Sequence, residues 1–311
     1  MKKVVMAAVA AIALATPAFA ADMPVKAKKV EAAPVTPVWD VAFGGVVMSD
    51  YNFRGISQSN RKASGGAYFE PQFNTAVGQF YAGIAAMAIN WPAAFGFTDP
   101  NAEIDLYGGW RKSWGPVSID LGMIYYWYPS EQNNGATTQS DFYEFYAKGA
   151  YAVTSNFTLG ANVFYTPDLL HYSTTFNTLT TAAGVAAASK PNATYASLTA
   201  KWVTPFDMSG VGLFVSGELG HWWISGSGFT NAAVVAAAGL TGSNPSYTYW
   251  NAGVGFTYKA FTLDLRYHGT DQSTRQCNDF LVVGAGNGSS KWCNDTFIAS
   301  LKFDTTLSAL K

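Results

Sequence analysis

The histidines are the first candidates for catalytic residues, and this chain of 311 residues has three, His171, His221 and His268. His268 follows Asp264 by four positions on one face of a predicted strand. At about 3.3 Å per residue the two lie about 13 Å apart, which excludes an acid–base dyad along that strand. The sequence has no G-x-S-x-G elbow, H-E-x-x-H pair or phosphate-binding loop. We therefore predict no enzymatic activity, no metal and no cofactor, and keep an enzyme with acid and base from separate strands as the weakest alternative.

Charged side chains recur at every second position along much of the chain, opposite a row of apolar side chains. In the stretch Trp39–Phe53 and directly after it, Val47 and Tyr51 share one parity, whereas Asp50 and Arg54 share the other. This alternation is typical of a β-strand with one apolar and one polar face. A charge that faces lipid at mid-membrane costs about 2–4 kcal/mol, so in a membrane the charged face must look inward. The residues that we predict to line a pore are Asp50, Arg54, Glu70, Glu103, Asp105, Arg111, Asp120, Glu144, Lys148, Lys201, Glu218, Asp264 and Arg266.

Two interpretations of these inward charges stay open. They line a hydrated pore with a weak cation preference, or they form a lattice of salt bridges that fills the interior. Asp50 and Arg54 are too far apart along one strand to pair, at about 13 Å. Each must therefore find another partner or remain in water.

Twelve stretches with this alternation are candidate strands. They are Trp39–Phe53, Tyr68–Val77, Phe80–Asn90, Glu103–Arg111, Val117–Tyr128, Asp141–Ala152, Phe157–Thr166, Ala193–Thr204, Val211–Trp223, Tyr247–Tyr258, Phe261–Gly269 and Thr296–Phe303. Five short connections alternate strictly with six longer ones, which is the pattern of short periplasmic turns and long extracellular loops in outer-membrane proteins. An exported β-sandwich has no reason to alternate its loops in this way. We predict an all-β fold, a transmembrane antiparallel up-and-down β-barrel of about twelve strands at residues 39–303, with a C-terminal tail at 304–311.

The N-terminal segment has the features of an export signal. Lys2 and Lys3 precede the apolar run Val4–Ala15, and Ala18-Phe19-Ala20 forms a small-residue cleavage site. The run is too short for a membrane-spanning helix, which needs about 20 apolar residues. We predict a signal peptide at residues 1–20 and a flexible periplasmic leader at 21–38.

The composition favours a membrane barrel over a soluble exported protein. Charged residues make up 13 % of the chain, against about 25 % in soluble domains, and aromatic residues make up 15 %. Loss of Lys2 and Lys3 leaves 17 basic against 20 acidic residues, which argues against a nucleic-acid partner. The rings predicted to form a belt at the loop ends of the strands are Trp91, Trp127, Tyr128, Tyr165, Trp222, Trp223, Tyr249 and Trp250.

Cys277 and Cys293 both lie in the last predicted external loop. Paired cysteines in an exported chain typically form a disulfide, and a bridge across a loop of this length contributes about 3 kcal/mol. No histidine lies between them, so we predict a disulfide and not a metal site.

The segment Ser49-Asp50-Tyr51-x-Phe53-Arg54-Gly55-x-Ser57-Gln58-Ser59 resembles the N-terminal signature of the TorF family of porin-like proteins. The rest of the chain is similar to that family in length, glycine and aromatic content. The resemblance implies an outer-membrane barrel with a pore. One departure is at the C-terminus, where such barrels usually end on an aromatic residue read by the barrel-assembly machinery; here Asp304–Lys311 follow Phe303.

Together these features predict an exported protein of the bacterial outer membrane that passively conducts small solutes or ions with a weak cation preference. A twelve-stranded barrel has a backbone diameter of roughly 24 Å, and inward side chains reduce the opening to about 12 Å. Its expected partners are outer-membrane lipids, the diffusing solutes and the barrel-assembly machinery; no oligomeric state is predicted. The alternative is a closed barrel with a structural or adhesive surface role.

Overall fold

Twelve antiparallel strands close into one barrel in the computed structural model. The structure describes residues 37–91, 100, 102–129, 140–171, 191–225, 244–281 and 291–310, with side chains to residue 277 in the sixth range. Each barrel strand pairs with the next in sequence, and the last pairs with the first. The predicted fold class is therefore confirmed. The predicted signal peptide and almost all of the predicted leader lie outside the described residues.

The barrel strands have bounds close to those predicted, with the largest differences at the first, second and eighth of the twelve. They are β1 Trp39–Met48, β4 Ser64–Thr75, β5 Gly78–Ala88, β6 Ala102–Trp114, β7 Val117–Trp127, β8 Phe142–Ala152, β9 Phe157–Thr166, β10 Asn192–Met208, β11 Val211–Ser225, β12 Tyr247–Tyr258, β13 Phe261–Thr270 and β14 Thr296–Thr306. Two short strands, β2 Asn52–Phe53 and β3 Ile56–Ser57, form a separate hairpin. Helix α1 spans Thr274–Leu281, and single 3-10 turns span Leu169–His171 and Ser308–Leu310.

The connections alternate in length as predicted. Those of two to four residues follow β4, β6, β8, β10 and β12 and define what we call the turn end of the barrel. The longer connections meet at the opposite end, which we call the loop end. No described helix is long and apolar enough to cross a membrane.

The outer face of the barrel is apolar at mid-strand. Leu106, Leu121, Phe145, Leu159 and Leu301 are each 44–52 % exposed although they lie in the middle region of their strands. On each strand the neighbouring positions point inward and carry the polar residues. This segregation is what a lipid-facing sheet requires, since burial of apolar surface must then come from the bilayer.

The first strand is shorter than predicted. β1 ends at Met48, so the predicted strand Trp39–Phe53 is wrong beyond that residue, and Asp50 and Arg54 do not belong to the barrel wall. Arg54 and Gly55 have φ angles of 49° and 91°, which reverse the chain between β2 and β3. The alternation of polar and apolar residues continues beyond Met48 because the hairpin of β2 and β3 also has one polar and one apolar face.

The last strand is longer than predicted. β14 continues to Thr306, and Asp304 pairs with Gly44 and Thr306 with Ala42. The first three residues of the predicted tail thus belong to the seam that closes the barrel. The side chain of Asp40 accepts hydrogen bonds from the backbone and the hydroxyl of Ser308, which fixes the chain just after this strand.

Candidate pore and its inner hairpin

The segment Asp50–Lys62, which we call the inner hairpin, folds into the lumen at the loop end. Tyr51, Ile56, Ser57 and Ser59 are at most 2 % exposed. Side chains of the hairpin reach β6 and β8, and its backbone is bonded from β12, so it has barrel wall on several sides. The predicted long external connection Arg54–Ala67 is therefore wrong as an external loop.

The carboxylate of Asp50 holds the inner hairpin together. It accepts hydrogen bonds from the hydroxyls of Ser57 at 2.5 Å and Ser59 at 2.9 Å, and from Arg61 Nη1 at 3.0 Å. The Ser59 oxygen in turn accepts the backbone N–H of Tyr51 at 2.9 Å. These bonds connect both arms of the hairpin and give the buried Asp50 carboxylate its partners within it.

Arg54 lies at the tip of the inner hairpin and makes its main contacts with the wall. Its Nη1 and Nη2 atoms donate to the two carboxylate oxygens of Glu144, both at 2.8 Å. Burial opposes ionisation of this guanidinium, but the adjacent Glu144 outweighs burial and raises the pKa of Arg54 above its usual value. The guanidinium carbon also lies 4.4–4.8 Å from the centroids of four rings, those of Phe53, Phe164, Tyr195 and Trp222.

Tyr51 attaches the hairpin to the wall at a second point. Its hydroxyl donates to Glu103 at 2.5 Å, and the Tyr128 hydroxyl donates to the other oxygen of Glu103 at 2.8 Å. Burial, followed by the charges of Glu103 and Asp105, raises the pKa of Tyr51 well above its usual value. The phenol therefore remains a donor throughout the physiological pH range.

The last long connection covers the hairpin from the loop side. Arg61 donates to the backbone carbonyls of Lys291 at 2.7 Å and Trp292 at 3.0 Å. The Trp292 carbonyl also accepts the Ser57 N–H at 3.0 Å, and its indole N–H donates to Asn60 at 3.0 Å. The predicted disulfide between Cys277 and Cys293 is present and joins this segment to α1.

Replacing both Cys277 and Cys293 by Ser is expected to lower the free energy of unfolding by about 3 kcal/mol, because the bridge closes a loop of 16 residues. Urea titration of vesicle-inserted protein measures this difference. As a control, wild-type protein unfolded in the presence of reductant should match the double variant. Equal stability of the oxidised wild type and the double variant would contradict the expected contribution.

The other predicted pore residues lie on the inward face of the wall and form local networks. Arg111 pairs with Glu70 at 2.7 Å, and Arg266 pairs with Asp264 at 2.9 Å. Glu218 accepts the Tyr195 hydroxyl at 2.8 Å. The remaining predicted pore residues on this face are Glu103, Asp105, Asp120, Glu144, Lys148 and Lys201.

The inward charges differ from one another in their exposure. The side chains of Arg111 and Arg266 are 31 % and 18 % exposed, whereas that of Glu144, at the level of the hairpin tip, is 0 % exposed. Lys148, also buried, has no hydrogen-bond partner for Nζ among the described residues and lies 4.2 Å from the ring centroid of Tyr146. Water thus reaches the guanidinium groups of Arg111 and Arg266, while Asp120, Glu144 and Lys148 are buried.

Aromatic rings that were predicted to form an outer belt are found in the lumen instead. Trp222 is 2 % exposed and Tyr249 5 %, whereas the adjacent Trp223 is 52 % exposed and faces outward. Trp222 shares the parity of the inward Glu218 on β11, which was the signal available in the sequence. Of the histidines, His268 shares a hydrogen bond with Tyr249 and His221 with Thr248, so both rings have hydroxyl partners.

A family model with the description "Bacterial protein of unknown function (Gcw_chp)" matches residues 31–302. The chain belongs to this family. The TorF resemblance is not part of that description and stays a prediction. No curated protein matches the chain.

Several solved barrels align with the chain at low identity. The NanC porin is 11 % identical with a TM-score of 0.44, covering 85 % of this chain and 98 % of the porin. The COG4313 outer membrane channel from Pseudomonas putida F1 is 11 % identical with a TM-score of 0.43, covering 90 % and 100 %. LpxR from Salmonella typhimurium is 8 % identical with a TM-score of 0.39, covering 85 % and 99 %. The fold assignment given above rests on the strand pairing of this chain.

Proposed function

We propose that this protein is an outer-membrane channel for small solutes or ions whose lumen is narrowed at the loop end by the inner hairpin. The observation that carries the proposal is a closed barrel with an apolar outer face and with inward charges, among them Arg111 and Arg266, that are partly exposed to water. A barrel that only filled its interior would have no need for half-exposed guanidinium groups such as that of Arg111. As a channel, the protein has outer-membrane lipids as partners on its outer face and diffusing solutes as partners in its lumen.

The apolar outer face of the barrel supports a location in the outer membrane. Its exposed mid-strand leucines and phenylalanines would aggregate in water but are stable in a bilayer. The predicted export signal and the closed antiparallel sheet agree with this location. We also propose that the chain passes through the barrel-assembly machinery with β14 as its last strand, and that it has no enzymatic activity.

The charge inventory supports a weak cation preference. Eight of the thirteen predicted pore residues are acidic and five are basic. Arg54, Arg111 and Arg266 are each neutralised by a carboxylate. The excess of acidic groups raises the local concentration of cations in a low-dielectric passage.

Neutralising the two members of the Glu70–Arg111 pair is expected to shift ion selectivity in opposite directions. Glu70→Gln leaves a half-exposed guanidinium and moves the reversal potential in a salt gradient toward anions, whereas Arg111→Gln moves it toward cations. Recording of refolded protein in planar bilayers measures both shifts. Asp207→Asn, at an exposed turn, is the matched control and should leave the reversal potential unchanged. Shifts of the same sign would contradict the assignment of this pair to the pore.

The burial of Arg54 at the hairpin tip, where it is 7 % exposed, favours a second candidate, a closed barrel with a structural or adhesive surface role. In that case wild-type protein that is folded and heat-modifiable would stay electrically silent, and deletions in the long loops would abolish surface binding. The same bilayer recording separates the two candidates.

A further inference from the structure

We propose that the wall of the barrel contains a binding site for guanidinium-bearing organic cations, which Arg54 occupies as an internal ligand. This proposal deepens the channel function and rests on it where it names the solute class. The site is made by four neighbouring strands, β8 to β11, and Arg54 is contributed by the inner hairpin.

The anionic part of the site belongs to the wall. Glu144 on β8 is 0 % exposed, and its Oε2 atom accepts the Tyr126 hydroxyl from β7 at 3.0 Å. Both carboxylate oxygens face the guanidinium, each at 2.8 Å from one Nη atom. Parallel double hydrogen bonds of this kind fit a planar guanidinium and not an ammonium group, which is a point donor.

The aromatic part of the site is a row of rings at one level of the sheet. Strand register places Phe164 of β9 directly opposite Tyr195 of β10, and Tyr195 directly opposite Trp222 of β11. Their ring centroids lie 4.8, 4.4 and 4.7 Å from the guanidinium carbon of Arg54. Ring faces at this distance attract a cation by their quadrupoles, most strongly where water is excluded.

A purely structural role does not explain this combination. A buried ion pair is often no better for stability than apolar side chains of similar volume, because both charges must lose their hydration. An apolar tip on the hairpin and an apolar residue at 144 would fill the same space. The wall instead keeps a buried carboxylate among cation-binding rings, and this charge loses its counter-ion whenever Arg54 leaves the site.

The test is to vacate the site and supply the missing fragment. Arg54→Ala removes an ethylguanidinium group, so the purified variant in micelles is expected to bind ethylguanidinium saturably, as measured by calorimetry, while wild type does not bind it. N-ethylurea has a similar shape without the charge and should not bind. The double variant R54A/E144Q should bind ethylguanidinium about a hundredfold more weakly, since the buried charge pair is lost.

Arg266→Ala is the matched control, because it vacates a guanidinium from Asp264 outside the ring row and should not bind ethylguanidinium in the same range. Folded Arg54→Ala that fails to bind ethylguanidinium, or that binds N-ethylurea equally well, would overturn the proposal. If the variant does not refold, refolding is repeated with each compound: rescue by ethylguanidinium alone supports the site, and rescue by neither overturns it. Binding in micelles needs no conductance, so binding by an electrically silent barrel would retain the site and overturn only its role in transport.

Discussion

Glu144→Gln is expected to release the inner hairpin from the lumen. Removing one partner of a buried ion pair leaves the other charge uncompensated, which costs about 3–5 kcal/mol. Arg54 is 7 % exposed and would keep its rings but lose its counter-charge, so the hairpin gains by moving the guanidinium into water. The measurement is trypsin cleavage after Arg54 and Arg61 in vesicle-inserted protein, which should become rapid in the variant.

Two controls separate this effect from general damage. The double variant R54M/E144M replaces both charges by apolar groups and should keep the hairpin more protected than the single variant does. Glu218→Gln alters an inward carboxylate with hydrogen bonds to Tyr195 and Asn251 and should leave the cleavage rate near that of wild type. Slow cleavage of Glu144→Gln, equal to wild type, would contradict the role given to the ion pair.

Replacing residues 49–63 by Asn-Gly is expected to open the barrel without unfolding it. Met48 and Ser64 lie directly opposite each other on β1 and β4, so a two-residue hairpin turn can join them. With the hairpin gone, inward side chains leave an opening of about 12 Å. Uptake of small sugars in a liposome-swelling assay should rise roughly severalfold, since the passage widens over its narrowest part.

The matched control replaces another connection with the same two residues. Exchange of Lys259-Ala260 at the turn end for Asn-Gly leaves the hairpin in place and should not change the swelling rate. An unchanged rate in the hairpin-replaced chain, with heat-modifiable and folded protein, would show that the hairpin is not the barrier.

The barrel wall could be predicted from the sequence because lipid and lumen impose opposite polarity on alternate residues. Leu121 and Asp120 illustrate this: they are neighbours in sequence, and one is 46 % exposed on the outer face while the other is 1 % exposed inside. Strand length and the alternation of short and long connections follow from crossing a bilayer twice per hairpin. All twelve strands were therefore predictable in number and order.

The inner hairpin could not be predicted by the same rule. A polar lumen and an external loop in water both accept polar residues. Asp50, Ser57 and Ser59 therefore fit an external turn as well as they fit a segment inside the barrel. Glu144 was recognised as inward-facing, but its partner Arg54 was predicted to line the pore where the first strand passes into an external loop, and not to belong to a loop that returns into the barrel. The contact between them joins positions 90 residues apart. The two-residue alternation along a strand carries no information about a contact at that separation.

The most direct test of this account is single-channel recording of wild-type protein and of the hairpin-replaced chain in the same planar bilayer system. We expect discrete conductance steps that are larger in the hairpin-replaced chain, with a reversal potential in a salt gradient that favours cations. Folded protein that is silent in both forms would contradict the channel function. Steps of equal size in both forms would contradict the role of the inner hairpin as the constriction.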